Sequence, residues 1–258
     1  MIRLTMFLAA ILLASSYPTM AQEGPEGNVA EAWIVNVDMA SQPAFEEAFK
    51  AHVDVRKKHN DPFEWHVYVQ ETGNSMSTYM IRACCFAWAE KDAYETWGEE
   101  NPEVNADWGE YVHPHVSSYG HHYSTLDFAN SNWPDDGSEI NFVGVTSYQI
   151  KTGHSAQFEA VKAELSQIAL NEGWAQAGHH WAWTSSVDGA NTVNLAVPHE
   201  NFASMATPDP DFFQFLSQHL GSEEAAAGIF QRFTDATDGS DYTIYRHRSD
   251  LSMSDSDQ

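Results

Sequence analysis

With 258 residues, the chain is long enough for one large domain or two small ones. Its 43% hydrophobic and 13% aromatic content can bury a core, which excludes a globally disordered chain. Twelve Lys+Arg against 37 Asp+Glu give a formal charge of −25, scattered as on a solvated surface; that field repels nucleic acid and anionic lipid, so neither is expected as a partner.

Residues 1–21, "MIRLTMFLAAILLASSYPTMA", place one cation, Arg3, before an apolar run from Met6 to Ala14. They end on Thr19-Met20-Ala21, a small-x-small cleavage site. The run is too short to cross a bilayer, so it reads as a signal peptide, with a flexible stretch over 22–30 behind it. No cysteine follows the cleavage site to carry a lipid, and no later run of about 18 apolar residues exists. The expected protein is soluble and exported, either periplasmic or secreted.

The first strand is "AWIVNVDMA" (32–40), rich in β-branched and aromatic residues. Ser41 is the expected N-cap of a helix in which Phe45, Ala48, Phe49, His52, Val53 and Arg56 fall at helical spacing. The strand "FEWHVYVQETGN" (63–74) ends in a turn at Thr72-Gly73-Asn74, and "STYMIRACCFAW" (77–88) returns. It carries the only two cysteines, Cys84 and Cys85. Adjacent cysteines cannot staple distant segments, so they are expected as buried thiols, one per strand face. A helical stretch broken near Pro102 follows, and "SSYGHHYSTL" (117–126) closes the half.

Residues 128–140 form a linker rich in Asn, Asp, Pro and Gly. The order then repeats. A strand "NFVGVTSYQI" (141–150) precedes a helix with Ser155 as expected N-cap and Phe158, Val161, Leu165 and Ile168 on one face. "AGHHWAWTSSVDGAN" (177–191) ends on Asp188-Gly189, a hairpin signal, and "NTVNLAVPHENF" (191–202) returns. Two helical pieces flank Gly221, "DYTIYRHR" (241–248) closes, and the tail 249–258 is expected to be disordered. A shift of 113 residues sets Phe45 on Phe158, His66 on His179 and Tyr68 on Trp181 without a gap. Each half, 31–127 and 141–248, therefore reads β-α-β-β-α-β, the ferredoxin-like order.

This doubled pattern resembles the tandem dimeric α/β-barrel proteins of the antibiotic-biosynthesis-monooxygenase and NIPSNAP-like group, over roughly Glu31 to Arg248. The resemblance lies in element order and strand pattern; no diagnostic motif carries it. It implies an α+β fold in which duplicated ferredoxin-like units pair their sheets into one barrel within a single chain. The group usually builds that barrel as a homodimer, so a second copy is one partner to test. Its members include cofactor-free oxygenases, haem-degrading enzymes, isomerases and proteins without known activity, and the fold alone selects none of these.

Alternation along the strands selects candidate site residues. His66, Tyr68 and Gln70 share one face, and His179, Trp181 and Trp183 share another. In the closing strands Tyr119, His121 and Tyr123 share a face, as do Tyr245 and His247. These bulky, part-polar rows are expected to line a common barrel interior that takes a small apolar or aromatic molecule. Tyr68, Gln70, Trp181, Trp183, Tyr119, His121, Tyr245 and His247 are the expected ligand contacts. The alternative is a cofactor-independent monooxygenase or isomerase with His66 or His179 as general base. A further alternative is a non-catalytic protein with a packed interior, because Tyr, Trp and His also fill cores.

Thirteen histidines invite a metal, yet neighbouring histidines on a strand point to opposite faces and no HExxH or CxxC occurs, so no metal site is expected. Haem needs one axial histidine in an apolar slot, which His66, His179 or His121 could supply; covalent attachment is excluded without CxxCH, and no cofactor is expected. No GxSxG or GxxxxGK is present.

Overall fold

The computed structural model describes residues 27–134, 139–189 and 191–253. The expected signal peptide lies outside the described residues. No described helix is long and apolar enough to cross a membrane.

The first half runs β1 (Val29–Val37), α1 (Gln42–Lys58), β2 (Trp65–Gln70), β3 (Thr78–Phe86), α2 (Trp88–Glu100), α3 (Pro102–Asp107) and β4 (Val116–Leu126). The second half runs β5 (Phe142–Ile150), α4 (Ser155–Asn171), β6 (Ala182–Ser186), β7 (Thr192–His199), α5 (Phe212–Leu220), α6 (Glu223–Asp235) and β8 (Thr237–His247). All eight strands pair antiparallel into one closed barrel in the order β1-β3-β2-β8-β5-β7-β6-β4, and β4 returns to β1. Within each half the order is the same: β4-β1-β3-β2 and β8-β5-β7-β6. Short ladders of β2 with β8 and of β4 with β6 join the halves, so no sheet edge is left open.

Alternation divides each strand between two environments. In the first half Val35, Val37, Trp65, Val67, Tyr79, Ile81 and Ala83 face the helices and pack on Phe45, Phe49 and Val53 of α1. In the second, Ile150, Trp183 and Val193 pack on Phe158, Val161 and Leu165 of α4 and on Ile229 and Phe233 of α6. The opposite faces turn into the barrel. Fully burying each apolar side chain contributes about 1.5–3 kcal/mol, so these two sheet–helix cores, rather than the barrel interior, hold most of the stabilising apolar surface.

Helix ends differ slightly from expectation. Ser41 sits at the N-cap of α1 without a side-chain bond, and Ser155 is already helical, with His154 at the cap of α4. The break between α5 and α6 at Gly221 needs a positive φ of 66°, which glycine tolerates, and Ser222 caps α6 by accepting from Ala225 N–H.

Two expectations are corrected. Cys84 and Cys85 are not separate thiols: they form a disulfide with each other across a cis peptide bond. The β1–β3 register skips Cys85, pairing Val29 with Phe86 and Ala30 with Cys84, so this residue forms the extra position of a bulge. The tail is also partly ordered. Leu251 and Met253 are buried in the first-half core, Met253 N–H bonds Trp65 C=O at 2.8 Å, and Val67 N–H donates to Ser252 Oγ at 2.9 Å. The apolar Leu251 and Met253, and the backbone of β2 at Trp65 and Val67 beyond its short ladder with β8, give the chain end a reason to dock that its polar composition hides.

Candidate functional site

Three regions carry the candidate residues: the barrel interior, and one sheet–helix cavity in each half. Sequence reasoning placed all ten candidate residues in the first. The structure distributes them over all three.

His66, Tyr68, Gln70, Tyr245 and His247 do meet inside the barrel, because β2 pairs with β8 so that Tyr68 lies opposite His247 and Gln70 opposite Tyr245. The His247 ring is 5.0 Å from that of Tyr68 and 5.7 Å from that of His66. Burial holds His66 below its ordinary value, and burial together with the neighbouring His66 does the same for His247, so both are neutral at neutral pH. Burial pushes the Tyr68 and Tyr245 phenols up, so both keep their protons. These side chains are only half-buried, and His66 keeps 36% of its side-chain surface. The interior is therefore reachable by water.

His179, Trp181 and Trp183 do not join them. In the first half Val35 pairs with Tyr79, which pairs with Val69; in the second, Tyr148 pairs with Val193, which pairs with Ser185. Trp65 therefore corresponds to Trp181, and His66 to Ala182. The connection before β6 is three residues longer than that before β2, and an odd insertion flips every side chain to the other face. Trp181 and Trp183 face the helices, where Trp183 Nε1 donates to Ser166 Oγ at 3.0 Å. Tyr119 and His121 are also outside the barrel, since they pair with Val35 and Trp33 on the helix side of β1.

The second-half cavity encloses about 660 Å³ between β5–β7 and the helices α4–α6. Its walls carry the rings of Trp174, Trp181, Trp183, Phe212, Phe230 and Phe233 among aliphatic and small residues. His179 stacks on Trp174 with centroids 3.7 Å apart and planes 15° from parallel. Burial, then the adjacent His180, hold His179 below its ordinary value; burial also lowers His199, which lines the same cavity. The wall includes the acids Glu200 and Asp211 but neither Lys nor Arg.

The first-half cavity, about 480 Å³, is lined differently. Arg56 donates from Nε to Asp61 at 2.6 Å and from its terminal nitrogen to the Tyr94 hydroxyl, between the rings of Trp65 and Trp97. His52, 1% exposed, has Nδ1 2.7 Å from Asp107 Oδ2; the carboxylate only accepts, so Nδ1 carries the proton and Nε2 faces Arg56 at 3.4 Å. Burial outweighs the Asp107 bond and keeps His52 below its ordinary value. Glu31, also 1% exposed, accepts from His121 Nε2 at 2.7 Å and Trp33 Nε1 at 3.2 Å, and its Oε2 is ion-paired to Lys91 at 3.1 Å without an aligned hydrogen bond. His121, stacked on Trp33 at 4.0 Å, is thereby fixed by a carboxylate rather than offered to a ligand. Tyr119 lines this cavity and is bonded by Trp108 Nε1 and His113 Nδ1. Among the described residues no cluster of three or more His, Cys, Asp or Glu is arranged to hold a metal.

No known protein family and no curated protein matches the chain. Solved structures do. A candidate monooxygenase from Lactobacillus acidophilus superposes with a TM-score of 0.53 at 8% identity, covering 86% of this chain and 94% of its own. A candidate monooxygenase from Fusobacterium nucleatum superposes with a TM-score of 0.54 at 10% identity, covering 86% and 92%. The fold is thus that of the dimeric α/β barrels, in which the antibiotic-biosynthesis-monooxygenase-like proteins belong. At these identities the likeness concerns the fold alone.

Proposed function

We propose that the protein binds a small, flat, apolar or aromatic molecule in the second-half cavity, between the sheet and α4–α6. The observation that carries this reading is a space of about 660 Å³ walled by Trp174, Trp183, Phe212 and Phe233. That volume lies within the roughly 300–1,000 Å³ range of small-molecule sites, and stacked rings recognise flat ligands. Haem is a less suitable occupant: His179 could face its iron, but the wall presents Glu200 and Asp211 where its carboxylates would need cations. The test is mass spectrometry of whatever co-purifies with the native protein, followed by its titration into Trp174→Ala. Affinity should fall at least tenfold; unchanged affinity would reject the cavity. A Soret band on adding haem would promote haem.

A second reading is supported by His179. It stands in the wall of that cavity, neutral, and could take a proton from a bound substrate as a cofactor-free monooxygenase or isomerase would require. The monooxygenase descriptions of the two structural neighbours fit this reading. Turnover surviving in both His179→Ala and His66→Ala would remove histidine as the base. The remaining elements of the proposal are an exported protein, a duplicated ferredoxin-like unit supported by the matching strand orders, and a second copy as a partner, checked by light scattering.

A further inference from the structure

The barrel interior contains a residue that no candidate set included. Arg82 stands on β3 between Ile81 and Ala83, which both face the first-half core, so its side chain faces the barrel. It lies directly opposite His66 on β2 and Ala32 on β1.

The other four described arginines each meet a carboxylate: Arg56 meets Asp61, Arg232 meets Glu164, Arg246 meets Glu71, and Arg248 meets Glu46 and Asp250. Arg82 has no carboxylate and no hydrogen-bond partner among the described residues. In a chain with 37 acids and 12 basic residues this is the reverse of what chance contact would give. The side chains around it on β2, β3 and β8 include His66, Tyr68, Gln70, Met80, Tyr245 and His247, and the nearby carboxylate, Glu64, lies 3.5 Å from His66 Nε2 and makes no ion pair with Arg82. A guanidinium does not deprotonate in a protein, so it cannot escape burial by losing its charge. Left alone in a partly dehydrated space it is costly, unless something negative joins it.

We infer that Arg82 makes the barrel interior a binding site for a small oxyanion, first of all an aromatic carboxylate. The guanidinium presents a planar fork of donors to the carboxylate oxygens. The Tyr68 hydroxyl and the neutral His66 add donors, and the rings of His66, Tyr68 and His247, 5.0–5.7 Å apart, form a wall for a flat body. The half-buried state of the interior side chains, Arg82 included, leaves a way in. The site is separate from the second-half cavity, and each can fail without the other.

Calorimetric titration at fixed ionic strength tests it, with benzoate, acetate and inorganic phosphate in separate arms. Benzoate should saturate one site per chain, with acetate at least tenfold weaker; a preference for phosphate would keep the oxyanion site and make inorganic anion its source. Arg82→Met should abolish binding and Arg82→Lys should weaken it, whereas Trp174→Ala should leave it unchanged. Without anion, Arg82→Met should melt no earlier than the parent, because it removes an unpaired charge from a partly dehydrated space. Unchanged benzoate affinity in Arg82→Met, no saturation by any of the three anions, or early melting of Arg82→Met in anion-free buffer would overturn the assignment.

Discussion

The two sheet–helix spaces occupy equivalent places in the two halves, yet their walls are opposites. The first-half wall is tied by charge: Asp61 holds Arg56, Asp107 holds His52, and Glu31 holds Lys91 and His121. The second-half wall carries many rings and no Lys or Arg, and its nearby ion pair, Lys162 with Asp127 at 2.9 Å, is outside the cavity lining. Buried polar groups that satisfy one another fix a structure, while a ring-lined wall leaves apolar surface for a flat ligand. One architecture thus supplies a cross-braced half and a receptive half.

The sharpest way to break this contrast is to unpair the brace. Asp61 is fully buried and accepts from Arg56 Nε, Phe63 N–H and Trp65 Nε1. Asp61→Ala leaves Arg56 without its partner and should cost about 3–5 kcal/mol, measured by urea unfolding. A loss below about 1 kcal/mol would show that the network is not a brace. In the receptive half, Trp174→Ala should cost the ligand at least tenfold in affinity, about 1.4 kcal/mol, while shifting stability less than Asp61→Ala does. Trp183→Phe keeps a ring but removes the donor to Ser166 Oγ, and should cost about 1 kcal/mol of stability.

The smallest effect is a pH dependence. His52 has a folded value below its unfolded one, so between that folded value and about 6.5 the unfolded state binds more protons. Its contribution is complete above about 6.5 and is lost as pH falls through that value, at under about 1.4 kcal/mol per pH unit. Unfolding free energies of the parent and His52→Gln, compared at pH 7.5 and 5.5, should converge toward the lower pH. A gap that does not change with pH would mean His52 titrates alike in both states.

The strands and helices were legible because period 2 and period 3.6 are written in the side chains: Val35 and Val37 alternate, and Phe45, Phe49 and Val53 recur. Alternation held along each strand, but the inward face was misassigned for Tyr119 and His121 in the first half and for His179, Trp181 and Trp183 in the second. His66 and His179 look equivalent in an ungapped comparison, and only the cross-strand pairing of Ser185 with Val193 reveals the three-residue difference that separates them. The Cys84–Cys85 disulfide was not legible, since a cis peptide has no signature in residue type. Arg82 carried a signal that was available: a cation among Met80, Ile81, Ala83 and Cys84, placed by alternation on the face away from the aliphatics. The brace itself joins residues from α1, α3 and the loop before β2, and spacing along one element cannot reveal such meetings.

The central claim is that the receptive space lies between the second-half sheet and its helices. A crystal structure of the protein with its co-purified molecule tests this most directly. The account expects density stacked against Trp174 and Trp183 beneath α5; density against Arg56 and Trp108 in the first half, with the second-half cavity empty, would contradict it.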